Sequence, residues 1–210
     1  MTTNEPEARD ELRFEVLKTV TLKKTVTVPA VAAASGIALS SVEAAIQELI
    51  AAGDVVSTGG HVTTTAAGLG RVRAYADQRY GSLRGDPAVQ RWAARFQSIN
   101  QRFAETVSAW SAVHADDAAA ASTDGDHDDA ERVLSRLEAV IVRVSRLLDE
   151  FSSRVPRMAR YRQRLDAALE KIDASDERYV SDPNLDSVFS VWFEMEQAVR
   201  FVLGDQHEEA

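Results

Sequence analysis

Three stretches of this chain gather side chains able to do chemistry. The first is acidic: His114-Ala115-Asp116-Asp117, followed closely by Asp126-His127-Asp128-Asp129. An imidazole held by a carboxylate is the composition of a general base, and His with Asp also suits a metal ion, although no second nearby His completes a recognisable set. A solvated loop whose aspartates cap the next helix accounts for the same residues. The second stretch is basic, with Arg154, Arg157, Arg160, Arg162 and Arg164 in close succession. Guanidinium forks match phosphate oxygens, and they equally pair with acids on neighbouring helices. Arg164 stands out because it lies near an apolar stripe, one turn past Arg160 and Tyr161.

The third stretch, Asp186-Ser187-Val188-Phe189-Ser190-Val191-Trp192-Phe193-Glu194-Met195-Glu196, mixes acids with large aromatic rings. Helical spacing puts Ser187, Val191 and Glu194 along one side. A carboxylate among rings is costly unless paired. Two readings stay open: a binding site, or a core helix whose Glu194 pairs with an arginine.

Other chemistry is missing. The sequence contains no GxxxxGK[ST] phosphate loop, no GxGxxG, no HExxH and no GxSxG. With no cysteine there is no thiolate nucleophile or disulfide. A net charge of −9 argues against strong non-specific attraction to nucleic acid or anionic membrane. The acidic start MTTNEPEARDE does not read as a secretory signal, and no run approaches the ~20 apolar residues of a spanning helix. A cytoplasmic protein is expected.

The elements that must position these groups follow from periodicity. Residues 1–9 read as a flexible lead-in. A helix then carries Leu12, Val16, Leu17 and Val20, with Asp10 as its cap. Residues 25–28, TVTV, suit a short strand. Pro29 opens a second helix that Gly36 closes. A third, capped by Ser40 or Ser41, buries Val42, Ala45, Ile46, Leu49 and Ile50 and stops at Gly53. A β-hairpin turns at Gly59-Gly60, and LGRVRAYADQRYG forms a further helix. This pattern resembles a winged helix over roughly residues 10–80. Between Thr25 and Gly70 there is no Lys or Arg, which is poor equipment for contacting DNA phosphates, so DNA binding is unlikely and a docking role is expected. GSLRGDP marks a linker. Long helices over 89–114 and 130–151 flank a loop at 115–129. A helix restarting at Pro156 and a last one around Val188–Val202, closed by Gly204, complete an antiparallel helical bundle. The expected organisation is therefore mainly α with a small β-wing: a winged-helix domain at 1–80, a linker at 81–88, and a bundle at 89–210.

Most of the chain also resembles a family of small actinobacterial proteins, in which a winged helix precedes a helical domain. Its members occur beside, or fused to, enzymes related to pyruvate phosphate dikinase and phosphoenolpyruvate synthase. The likeness rests on LRFEVLKTVTLKK with VAAASGIALSSVEAAIQELIAAGDV, on Trp110, on Asp126-His127-x-Asp129, on YRQRLDAAL (161–169), and on Asp186-Ser187-x-x-x-Val191-Trp192-Phe193-Glu194. Glu196-Gln197 departs from the more acidic continuation expected there. The resemblance implies the small subunit of a two-component dikinase that phosphorylates the phenolic hydroxyl of a 4-hydroxyacetophenone-like ketone. ATP and Mg would sit on a large partner carrying a phosphohistidine domain, with no cofactor on this chain and no membrane association. Trp110, Tyr161 and Trp192 would wall the aromatic pocket. His127 would take the phenol proton, Arg164 would meet the phosphoryl oxygens, and Asp186 and Glu194 would orient the arginine or the histidine. The other reading of the residues is a ligand-responsive winged-helix transcription regulator.

Overall fold

A computed structural model describes residues 5–117 and 124–204, with side chains from Ala8 to His114 and from Asp128 to Gly204. The chain is mainly helical, with one small three-stranded antiparallel sheet. It divides into two units, Met1–Ser82 and Leu83–Ala210.

In the first unit the order is α1 (Glu5–Lys23), β1 (Thr25–Thr27), α2 (Val28–Ser35), α3 (Leu39–Ala51), β2 (Val55–Thr58), β3 (His61–Thr64) and α4 (Ala66–Arg84). Helix α1 packs on α2 and α3, because Val16, Leu17 and Val20 share a face and meet Val31, Val42, Ile46 and Leu49 in a closed core. The sheet runs β1-β3-β2, with Val26 opposite Val62 and Ser57 opposite Val62 on the other side. Gly59 and Gly60 both have positive φ, 59° and 80°, the backbone that a two-residue hairpin turn demands. One junction holds the unit's second half together. Thr65 donates its N–H to the Asp54 carbonyl at 2.9 Å and its hydroxyl to the Gly53 carbonyl at 2.7 Å. The same hydroxyl accepts from the Gly68 N–H at 3.1 Å, which caps α4. Asp54 is fully buried and accepts a hydrogen bond from Arg71 Nε at 2.9 Å.

The second unit contains α5 (Pro87–Asp117), α6 (Asp124–Ser152), a 3-10 turn at Pro156–Met158, α7 (Ala159–Asp173), the short α8 (Arg178–Ser181) and α9 (Val188–Leu203). Helix α6 packs on both α5 and α7, and α9 packs on α7 and α8. Heptad-like apolar positions supply the core: Val133, Leu137, Ile141, Val144 and Leu148 of α6 are buried where that helix packs on α5 and α7, and Leu165 of α7 and a stripe of α9 are buried as well. Asp86 accepts from the Ala88 N–H at 2.7 Å, so it caps α5, and it also pairs with Arg154. Among the described residues no single helix is long and apolar enough to cross a membrane.

Several expectations change. Helix α1 begins at Glu5 rather than after a lead-in, so Asp10 lies inside it and caps nothing; Pro6 is compatible with a first helical turn. Helix α3 is entered through Ala38, with no side-chain cap, and Ser41 N–H bonds the Ala38 carbonyl instead. The linker expected over 81–88 is mostly helical, since α4 continues through Gly81 to Arg84 and α5 starts at Pro87. The loop expected at 115–129 is shortened from both ends by α5 and α6, with residues 118–123 outside the described part.

Candidate functional site

Arg164 lies on α7, where Leu165 and Ala168 face the core and leave the arginine at the edge of the buried stripe. From there its side chain reaches the start and the second turn of α9. Nε and Nη2 donate to the two carboxylate oxygens of Asp186, at 2.7 and 2.6 Å, and Nη1 donates to Glu194 at 2.7 Å. The fork on Asp186 is the bidentate geometry that a planar guanidinium favours. Ser187 places the helix start: its hydroxyl accepts from the Ser190 N–H at 3.3 Å, so α9 begins immediately after Asp186 and carries Glu194 back toward α7. The Arg164 side chain is only 21% exposed. Burial alone would lower its pKa, but the hydrogen bonds it donates to Asp186 and then Glu194 more than reverse this, so the guanidinium stays firmly charged. Both carboxylates are thus engaged by this one guanidinium. Of the two, Asp186 is the more solvated, at 59% exposed against 25% for Glu194.

The expected aromatic wall is closed. Trp192 is 1% exposed and Tyr161 2%. Trp192 stacks flat on Phe103 at 3.9 Å, and its indole N–H donates to Asn100 Oδ1 at 2.7 Å. Asn100 in turn donates to Glu196 at 2.9 Å, and Glu196 accepts from Arg200 at 2.6 Å. Tyr161 accepts at its hydroxyl from Arg160 at 2.9 Å. Trp110 is also buried, with the His114 ring against it at 4.0 Å and the His114 Nδ1 donating to the Trp110 carbonyl at 3.0 Å. These rings belong to the core because their flat faces are already covered by neighbours. Phe193 is the contrast: it follows Trp192 in α9 and is 60% exposed.

His127 falls in the first turn of α6, and its side chain lies outside the described residues, as does that of Asp126. Asp129 pairs with Arg132 one turn on. Among the described residues, no three His, Asp or Glu side chains are grouped to hold a metal ion. The basic run is largely spent on acids. Arg154 pairs with Asp86, and Arg162 with Asp149 and Asp166.

Sequence reasoning brought Arg164, Asp186 and Glu194 together and missed Asn100 and Phe103. Nothing in the local pattern distinguished Asn100 from other polar residues of α5; only its pairing with α9, more than ninety positions away, gives it a task. Family models, curated proteins and solved structures were all compared with this chain, and none matches it.

Proposed function

We propose that this chain is the small, acceptor-binding subunit of a two-component dikinase, working in the cytoplasm with a large partner that holds ATP, Mg and a phosphohistidine. The observation that carries the reading is the half-buried Arg164 held by Asp186 and Glu194. A charged fork prepared in advance at a sheltered surface is what a transferring phosphoryl group needs. The first unit supports it by an order of elements that suits the winged-helix reading, and by the face of α3. Leu39, Ser40, Glu43, Ala44 and Gln47 are exposed there and none is basic. Such a face suits protein docking better than a duplex. The second unit is read as a helical bundle presenting the acceptor.

In this reading the phenolic oxygen attacks phosphorus, the N–P bond of the partner's phosphohistidine breaks as the O–P bond forms, and His127 takes the phenol proton. The two carboxylates already occupy the donors of the guanidinium, so one of them must turn away before a phosphoryl oxygen can be bound. Asp186, the more solvated, is the one that can do so at small cost, while Glu194 keeps the arginine in place. Since Trp110, Tyr161 and Trp192 are packed, the acceptor ring seats on the exposed Phe193 beside Glu194. The test has two arms. Alone, the purified chain should hydrolyse no ATP; robust turnover without a partner would sink the assignment. With its partner, ATP and a hydroxyphenyl ketone should give AMP and phosphorylated ketone. Arg164→Gln should then slow acceptor phosphorylation by about 10²–10³-fold while the partner's own phosphohistidine still forms.

The runner-up is a ligand-responsive transcription regulator. The order α1-β1-α2-α3-β2-β3 favours it, and the lack of any basic residue on the exposed face of α3 speaks against it.

A further inference from the structure

The first unit has a cleft of about 620 Å³ between α1, α3 and α4, well away in sequence from the Arg164 cluster. Phe14, Leu17 and Leu49 back the cleft but are themselves buried, and the apolar surface it presents is Tyr75, half-buried and stacked on Phe14 with ring centroids 3.9 Å apart. Three guanidinium groups line the same space with donor capacity to spare. Arg79 makes no hydrogen bond or ion pair among the described residues. Arg71 engages only its Nε, on Asp54. Arg13 has a buried Nε without a hydrogen-bond partner, 3.4 Å from a Glu48 oxygen. An aromatic wall with a few donors beside it is the composition of a small-molecule site, and the volume falls in the usual range of about 300–1,000 Å³. The donors are arginines, whose planar forks match a carboxylate. Asp10 and Glu11 also line the cleft, and their charges count against a polyanion.

We infer that this cleft binds a small planar monoanion, an aromatic carboxylate with its ring against Tyr75 and its carboxylate on Arg79 and Arg13. The site is independent of the dikinase reading: it concerns the other unit, and neither depends on the other. Titrating the full chain with 2-naphthoate in a calorimeter should give saturable binding with Kd on the order of 1 mM or tighter. Arg79→Gln and Arg13→Gln should each weaken it by roughly fivefold or more. Arg73→Gln, at an exposed α4 position that does not line the cleft, should leave it unchanged. The neutral isostere 2-naphthamide should bind at least about fivefold more weakly, and inorganic phosphate should not displace 2-naphthoate. Absence of saturable 2-naphthoate binding overturns the inference. So does binding indifferent to both Arg79→Gln and Arg13→Gln, equal affinity for the amide, or displacement by phosphate.

Discussion

Tyr80 is almost enclosed within α4, and burial pushes its phenol up to about 12, against a smaller opposing pull from Arg79. An unfolded chain ionises this phenol near its ordinary value of 10.0. Its contribution to stability is therefore complete below pH 10 and is lost as pH rises through the folded value. Up to about 2 kcal/mol is at stake across that window. Denaturant unfolding followed by circular dichroism from pH 9 upward should show the wild type weakening more steeply than Tyr80→Phe. Identical slopes would mean that other groups govern the alkaline limb. Arg164 illustrates the opposite case at the same scale. Its charge is secured by two carboxylates, so no accessible pH removes it, and any switching there must come from movement of an acid.

Helix α4 can start where it does because Gly68 has no side chain. A Cβ at that position would sit 2.1 Å from the Asp54 carbonyl oxygen and 2.9 Å from its carbon. Both are backbone atoms, so no rotamer relieves the clash. Gly68→Ala should destabilise the first unit by about 2–3 kcal/mol, seen as a lowered thermal midpoint. Gly70→Ala, with nothing within 4 Å of its Cβ, should be neutral or stabilising by up to about 1 kcal/mol; equal melting of the two variants would refute the packing account. The same elements show what a sequence can reveal. Gly36, the Gly59-Gly60 pair and Gly204 were legible because each needs positive φ, a property of the residue itself. The burial of Val42, Ala45, Ile46 and Leu49 was legible from period alone. The passage of α4 through Gly81 was not, because glycine permits a helix without announcing one. The short α8 also escaped, its four residues being too few to show a period. In the site, charge alone pointed to an arginine partner for Glu194, and the family resemblance was needed to set Asp186 beside Arg164. The Trp192–Asn100–Glu196 chain depends on which helices are neighbours, and that information is not local.

At the level of the whole molecule, charge separates the two functional readings. The chain carries −9 overall, and both the exposed face of α3 and the hairpin offer no cation. Phosphate neutralisation supplies most non-specific affinity for a duplex, so a gel shift at low salt should show no retardation of promoter or random DNA. A retarded band that fades with added salt would revive the regulator reading. The placement of the indoles has a separate, practical result. Trp92, Trp110 and Trp192 are the chain's three tryptophans, and all of them fall in the second unit, each buried. The first unit has only the tyrosines Tyr75 and Tyr80. Fluorescence excited at the red edge, where tyrosine does not absorb, therefore watches one unit alone. An emission shift on adding an acceptor reports on the helices around Arg164.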